Sequence, residues 1–278
     1  MDKKKLYIEL GNWCGLGNQM FQYAFAYTLS KIQNFDLIVK REFNYFLDRF
    51  KYIREGQKYI GNINCSNIIV ENEKNKLYDE KLFNIDNTND VYVKGYFENI
   101  NYVNKEEDDI RNIFKFDDIM VFNIRNYLET LKINSKSRLV GVHLRLSNVP
   151  NESINTVLYS VPTQEYIDKA MSLFDLENDI FVICSNDIER TKISYNFKSK
   201  NIIWYSEGLF EDMCMLTLCN DYILSPSTYG WWGCFLNVNK DKRIVMMKSW
   251  FNRFGPGKQA NEIHDLYFKD AIVFDIFE

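Results

Sequence analysis

The stretch Gly15-Leu16-Gly17-Asn18-Gln19-Met20-Phe21-Gln22, with Tyr23-Ala24-Phe25-Ala26-Tyr27-Thr28-Leu29 behind it, joins a strand to a helix through a glycine-rich turn. Ahead of it Leu6, Ile8 and Leu10 alternate as strand residues do. Gly11, Gly15 and Gly17 supply backbone freedom at the turn, and the helix is expected to start near Asn18. A helix start presents unpaired N–H groups and the positive end of the peptide dipoles, which suits an anion or a ring of hydroxyls. The side-chain amides of Asn18 and Gln19 both donate and accept, as sugar hydroxyls require. The dinucleotide fingerprint is excluded, because Met20 stands where its third glycine belongs, and no Gly-Lys-Ser/Thr ending makes a P-loop. A plain tight connection between strand and helix is the competing reading.

With 278 residues, 46% hydrophobic and 16% aromatic, the chain has apolar surface enough for one large or two modest folded domains. A net charge of -4 argues against a general nucleic-acid footprint, while a local cleft for one diphosphate needs only a few cations. Cys14, Cys65, Cys184, Cys214, Cys219 and Cys234 form no C-x-x-C pair, and several lie in apolar runs, which fits a reducing compartment. The N-terminal stretch lacks an apolar core of signal-peptide length, and no run of about 18 apolar residues suggests a transmembrane segment. The expected location is the cytoplasm, with peripheral membrane contact left open.

Residues 35–90 read as loops and short elements, and Val91 to Phe97 as a strand reaching a glycine and an aromatic pair. Residues 105–133 carry apolar positions at mostly helical spacing and end in the polar link Asn134-Ser135-Lys136-Ser137, where a domain boundary is expected. Beyond it, strands at Arg138–Arg145, Ile180–Ser185, Ile202–Tyr205, Tyr222–Ser225 and Arg243–Met246 alternate with helices at Thr163–Phe174 and Glu211–Cys219. That alternation predicts a parallel sheet.

Three places on this framework carry chemistry. His143 and Arg145 lie two apart at the C-terminal end of a strand, so they point the same way into the crevice of an open parallel sheet; an ordinary surface ion pair for Arg145 is the competing reading. Ser227 and Thr228 open an aromatic-rich helix after a strand, where they cap it or offer hydroxyls and amides to a phosphate. Asp187, after Ser185-Asn186, either caps a helix or contacts a nucleoside. Trp231 and Trp232 serve packing or sugar stacking, with packing expected for at least one. His264 has no partners at metal-ligand spacing and no paired-Asp motif is present, so no metal is expected.

GLGNQMFQYAFA resembles the N-terminal signature of the α-1,2-fucosyltransferases, a glycosyltransferase family 11-like group, and GYFENINYV at 95–103 resembles a GYFQ-type segment of that family. VHLRLSNVP occupies the place of its H-x-R-R-x-D motif: His143 and Arg145 match, whereas Leu146 replaces the second Arg and Asn148 the Asp. Protein O-fucosyltransferases are similar in carrying H-L-R without the second Arg. The segment from Glu211-Asp212-Met213 to Ser227-Thr228-Tyr229-Gly230-Trp231-Trp232-Gly233 looks like the family's E-D-L … N-S-T-F-S-W-W-G motif.

The resemblance implies an α/β fold of GT-B type, two Rossmann-like domains facing across a cleft, with an acceptor-side domain at 1–136 and a nucleotide-sugar domain at 137–278. It implies an inverting, metal-independent transfer of L-fucose from GDP-fucose to the 2-hydroxyl of a galactose-like acceptor, with no cofactor and no nucleic-acid partner. Arg145 would hold the departing diphosphate, supported by His143, with Gly17, Asp187, Ser227 and Thr228 binding the donor and Asn18 and Gln19 contacting donor or acceptor. Leu146 and Asn148 keep two alternatives open: another nucleotide sugar as donor, or a catalytically silent carbohydrate-binding homologue.

Overall fold

A computed structural model describes residues 3–10, 14–40, 46–56, 58, 59, 63, 65–71, 77–147, 159–252 and 265–275. The chain divides into two compact units: Met1–Lys115 with Ile263–Leu266, and Phe116–Glu262 with Tyr267–Glu278.

The first unit opens with β1 (Lys5–Glu9) and α1 (Leu16–Gln33). It continues through β2 (Asp36–Lys40), α2 (Lys51–Glu55), β3 (Lys58–Tyr59), β4 (Ile68–Val70), β5 (Val91–Lys94), α3 (Ile100–Asn104) and α4 (Glu107–Ile113). The five strands form one sheet in the order β3-β2-β1-β5-β4, every pairing parallel. Leu6 and Ile8 of β1 are fully buried at its centre, and α1 buries Met20, Phe21, Ala24, Phe25 and Leu29. Phe25 stacks on Phe97 at 3.8 Å and meets Tyr102 edge-on at 5.1 Å, an aromatic cluster that fixes α1 beside the turn after β5. α1 stops at Asn34, whose φ of 60° is the left-handed cap that asparagine tolerates.

The second unit opens with α5 (Asp118–Leu131), β6 (Leu139–Leu144), α6 (Gln164–Met171), β7 (Ile180–Ser185), α7 (Ile188–Ser194) and β8 (Ile202–Trp204). α8 (Leu209–Thr217), β9 (Asp221–Leu224), α9 (Thr228–Leu236), β10 (Ile244–Met247) and β11 (Ile272–Phe274) complete it. α5 packs on α8, with Tyr127 and Tyr205 rings 5.9 Å apart, so the polar link at 134–137 leads from α5 into β6 within this unit. The sheet is again all parallel, in the order β11-β10-β9-β6-β7-β8. β6 is buried along its whole length, which accounts for its continuous apolar run. One of its faces, Val140, Val142 and Leu144, joins Tyr166, Ile167, Ala170 and Met171 of α6 in the core. The opposite face carries Gly141, whose Cα lies against Cys219 and Leu216 under α8.

Asp221 begins β9 with no exposed surface. Its carboxylate accepts from the Arg138 guanidinium at 2.5 and 2.8 Å, from Arg243 Nη2 at 3.1 Å and from the Arg243 backbone N–H at 2.7 Å. Burial would raise its pKa, but the two guanidinium groups and that N–H more than offset it and hold the carboxyl below the ordinary range. This network lies at the opposite end of β9 from Ser225 and belongs to stability.

Candidate active site

The chain builds the second sheet outward from β6: β7 and β8 go to one side, then α8 carries it across so that β9, β10 and β11 extend the other. The carboxyl ends of β6 and β9 therefore flank the topological switch point, where open α/β sheets leave a crevice for a ligand. The main-chain ladders stop there, at His143 opposite Leu224 and Leu144 opposite Ser185. The Ser225 N–H still donates to the His143 carbonyl at 3.0 Å. Past that point the neighbouring strands turn away, and Pro226 has no N–H to continue β9.

Side chains take over from the ladder. The Arg145 N–H donates to Ser225 Oγ at 2.7 Å. The Leu146 N–H donates to Asn186 Oδ1 at 2.8 Å, and Asn186 Nδ2 returns a bond to the Leu146 carbonyl at 3.4 Å. An Arg190 Nη2 donates to the Ser147 carbonyl. Burial lowers the Arg145 pKa, opposed by the Tyr159 phenol, yet a guanidinium titrates so high that it stays charged at neutral pH.

His143 lies on the β6 face turned toward α9. The Cα of Gly230 is so close that a Cβ there would stand 2.7 Å from both Cγ and Nδ1 of the imidazole. The Tyr229 ring lies 5.4 Å from it, and Tyr229 Oη donates to the Leu209 carbonyl at 2.5 Å. The imidazole is 4% exposed, and among the described residues its Nδ1 has no hydrogen-bond partner. Burial first, and the Arg145 charge second, push its pKa down to about 3, so it is neutral at physiological pH. It therefore adds no positive charge to the crevice; its contribution is shape and position.

α9 starts at Thr228 with Ser227 as its cap residue in extended conformation, and the Ser227 side chain makes no capping bond. The capping duty considered for this serine is thus left unused, while its carbonyl accepts from the Trp231 N–H at 3.0 Å. Trp231 and Trp232 are both buried, with Trp231 stacked on Phe235 and Phe268 at 5.0 and 5.2 Å, so both pack rather than stack on a sugar. Asp187 caps α7, its Oδ1 accepting from the Arg190 N–H at 3.0 Å.

In the first unit the corresponding strand ends are those of β1 and β5. α1 begins at Leu16, not near Asn18, because Gly15 in extended conformation is the cap residue. Its carbonyl accepts from the Asn18 and Gln19 N–H groups at 3.1 and 3.2 Å, so neither amide points outward from the turn. Gly15 has φ -71°, a conformation open to any residue, so the freedom expected of it is not used. Gly17 and Gln19 are buried and Asn18 is half-buried. Gln22 Nε2 donates to the Gly95 carbonyl at 2.9 Å, tying α1 to the turn after β5. That turn needs its glycine: Gly95 has φ 154°, and a Cβ on it would fall 2.5 Å from Glu71 Cβ. Glu71 Oε2 accepts from the Tyr96 and Phe97 N–H groups at 2.8 Å each.

Gly11, Asn148 and His264 lie outside the described residues. Among the described residues no group of three or more His, Cys, Asp or Glu is placed to hold a metal ion, and no helix is long and apolar enough to cross a membrane. Sequence reasoning missed Ser225, Asn186, Arg190 and Glu71, all of which bond to backbone in turns. A serine before a proline at a strand end, and an asparagine one residue past another, were the only signals.

A doubly wound parallel sheet with an arginine and a serine-threonine helix start at its switch point defines an α/β protein whose ligand crevice lies at the strand ends. The chain belongs to glycosyl transferase family 11, whose family model matches residues 3–264. It is 26% identical to the O-antigen biosynthesis glycosyltransferase WbnK of Escherichia coli, over 85% of this chain and 92% of that protein. It is 25% identical to an alpha-1,2-colitosyltransferase of Escherichia coli, over 86% and 90%. Galactoside alpha-(1,2)-fucosyltransferase 2 of Pongo pygmaeus is 24% identical, over 80% of this chain and 66% of its own. Among solved structures the fold is similar to NodZ alpha-1,6-fucosyltransferase co-crystallized with GDP, with a TM-score of 0.53 at 11% identity over 85% of this chain and 93% of that one. A family 9 glycosyl transferase from Veillonella parvula aligns with a TM-score of 0.52 at 13% identity, over 99% and 87%. The protein is a glycosyltransferase with an α/β fold of parallel sheets, like its GT-B-like neighbours.

Proposed function

We propose that the protein transfers L-fucose from GDP-fucose to the 2-hydroxyl of a galactose-like acceptor, with inversion at the anomeric carbon. The observation that carries this reading is the junction of β6 and β9, where the Arg145 backbone is bonded to Ser225, two residues before Ser227, the cap residue of α9. A permanently charged fork of donors beside a helix start is suited to negative charge that grows as the glycosyl bond breaks. Arg145 stabilises the leaving diphosphate. Ser227 and Thr228 offer hydroxyls and amides to the same phosphates, and neutral His143 sets the floor beneath them. Gly17, Asn18 and Gln19 contact donor or acceptor from the first unit, and Asp187 contacts the nucleoside with whatever its capping role leaves over. The first unit forms the acceptor side and the second unit the nucleotide side.

The names of the relatives support the kind of sugar and the linkage: two carry an α-1,2 transfer of fucose or colitose. The colitosyltransferase, together with Leu146 in place of the second motif arginine, favours one further reading, in which the donor is a GDP-activated deoxy sugar other than fucose. A turnover panel of GDP-fucose, GDP-colitose, GDP-mannose and UDP-galactose with a β-galactoside acceptor decides between them. Turnover of GDP-fucose alone is expected; turnover only of the UDP-sugar rejects both readings, and GDP binding without turnover of any donor points to a silent homologue.

A further inference from the structure

Three consecutive residues after β6 are anchored by side chains on two different neighbours. Ser225 Oγ takes the Arg145 N–H, the Asn186 amide takes both backbone groups of Leu146, and Arg190 takes the Ser147 carbonyl. Each anchor sits where a strand has just ended: Ser225 follows β9, Asn186 follows β7, and Arg190 is on α7, whose start is capped by Asp187. Among the described residues no strand ladder continues beside 145–147, because β7 has turned into α7 and Pro226 has interrupted β9. The Asn186 amide does what another strand residue would do, pairing its C=O and N–H with the N–H and C=O of Leu146.

We propose that Asn186 and Arg190, together with Ser225, are positioning residues that fix the exit of β6 and thereby aim the Arg145 guanidinium into the switch-point crevice. The inference rests on the reading of Arg145 as the group that meets the leaving diphosphate. Its physical content is preorganisation: a guanidinium on a backbone held from both sides needs no rearrangement as charge develops, whereas one on a free loop exit must be ordered in the transition state. The arrangement also gives Leu146 a purpose that a second arginine would not serve. Its side chain is 5% exposed and its backbone is clamped, so the residue fastens the loop.

The test uses the full chain with Asn186→Leu, which keeps the size and loses both bonds, and Asn186→Asp, which keeps the acceptor for the Leu146 N–H. Donor turnover by Asn186→Leu is expected to fall on the order of 10- to 100-fold in kcat, the scale of a small misplacement of a catalytic group, with Asn186→Asp recovering most of it. In an Arg145→Ala background the same Asn186→Leu change should add less than about a twofold loss, because it acts through the missing side chain. Equal fold-losses in both backgrounds overturn the proposal. Hydrogen exchange supplies a readout independent of activity: the Leu146 amide should lose protection in Asn186→Leu and keep it in Asn186→Asp. An amide still protected in Asn186→Leu overturns the clamp. A wild-type protein that turns over no GDP-sugar defeats the functional reading, while the exchange measurement still decides the clamp.

Discussion

Gly230 and His143 are in direct apposition: the α9 backbone rests on the face of a buried imidazole, leaving no room for a side chain between helix and strand. The atoms met include His143 Cβ and Cγ, next to the β6 backbone, so the ring cannot swing away as the far end of a flexible side chain would. The height of the α9 start above the crevice is therefore set by one missing methyl group and one neutral ring.

Gly230→Ala should lower stability by about 1–3 kcal/mol through overpacking, although alanine is the better helix former by about 1 kcal/mol. In a His143→Ala background the same substitution should become neutral or stabilising. Urea denaturation of the four proteins in this cycle measures the coupling, and a Gly230→Ala cost that persists without the imidazole would show that the ring is not what it strikes.

Arg145→Ala should reduce donor turnover roughly a hundred- to a thousandfold, the usual cost of removing one preorganised donor from a developing anion. Arg145→Lys should recover only part of this, because an ammonium lacks the planar fork. Steady-state kinetics with calorimetry of GDP binding separates loss of affinity from loss of rate; an unchanged kcat in Arg145→Ala removes the residue from the chemistry.

Stability should fall as the solution is acidified, in a window defined by His143. Its pKa in the folded chain, about 3, lies below the ordinary 6.5, so below pH 6.5 the unfolded chain binds a proton that the folded chain does not. The folded state thus has its full advantage above pH 6.5 and loses about 1.4 kcal/mol per pH unit from there toward pH 3. Asp221, whose pKa is depressed, adds its own loss only below the ordinary carboxylate value near 4. Urea unfolding at pH 7, 6 and 5 should show the slope in wild type and a flatter one in His143→Asn; identical slopes would mean the buried imidazole titrates normally.

Asp221→Asn should cost about 1.5–3 kcal/mol, the range for hydrogen bonds to a charged group, since Arg138 and Arg243 remain partly exposed and regain water. GDP affinity should not change, because the network lies at the start of β9 and the crevice at its end. Thermal melting paired with calorimetry checks both halves, and a large drop in GDP affinity in a fully folded Asp221→Asn protein would contradict this separation.

Restoring the family's second arginine should not restore anything. Leu146 is buried, so Leu146→Arg places a charge where the chain offers a hydrophobic position, and the expected result is a lower melting temperature without a gain in kcat. A faster, equally stable enzyme would show that the position opens toward substrate.

Much of the second unit was legible because β6, β7 and β9 are buried on both faces, so their apolar runs at 139–144, 180–184 and 222–224 stand out against polar links. Helix bounds shifted where capping decided them: Gly15 rather than Asn18 opens α1, and Thr163 caps α6 through its bond to the Tyr166 N–H. In the first unit, β2 and β4 are short and partly exposed, and their residues carried too little periodicity to be told from loops.

The sequence by itself determined the family, the parallel α/β class and the arginine at the end of β6, since local pattern and motif order suffice for these. Only the tertiary structure decided which groups hold that arginine. Ser225, Asn186 and Arg190 lie 80, 40 and 43 residues away from the backbone they grip, and a hydrogen bond across such a separation leaves no periodic trace in the chain. The same holds for Gly230, whose lack of a side chain acquires meaning only when the sheet folds an imidazole against it.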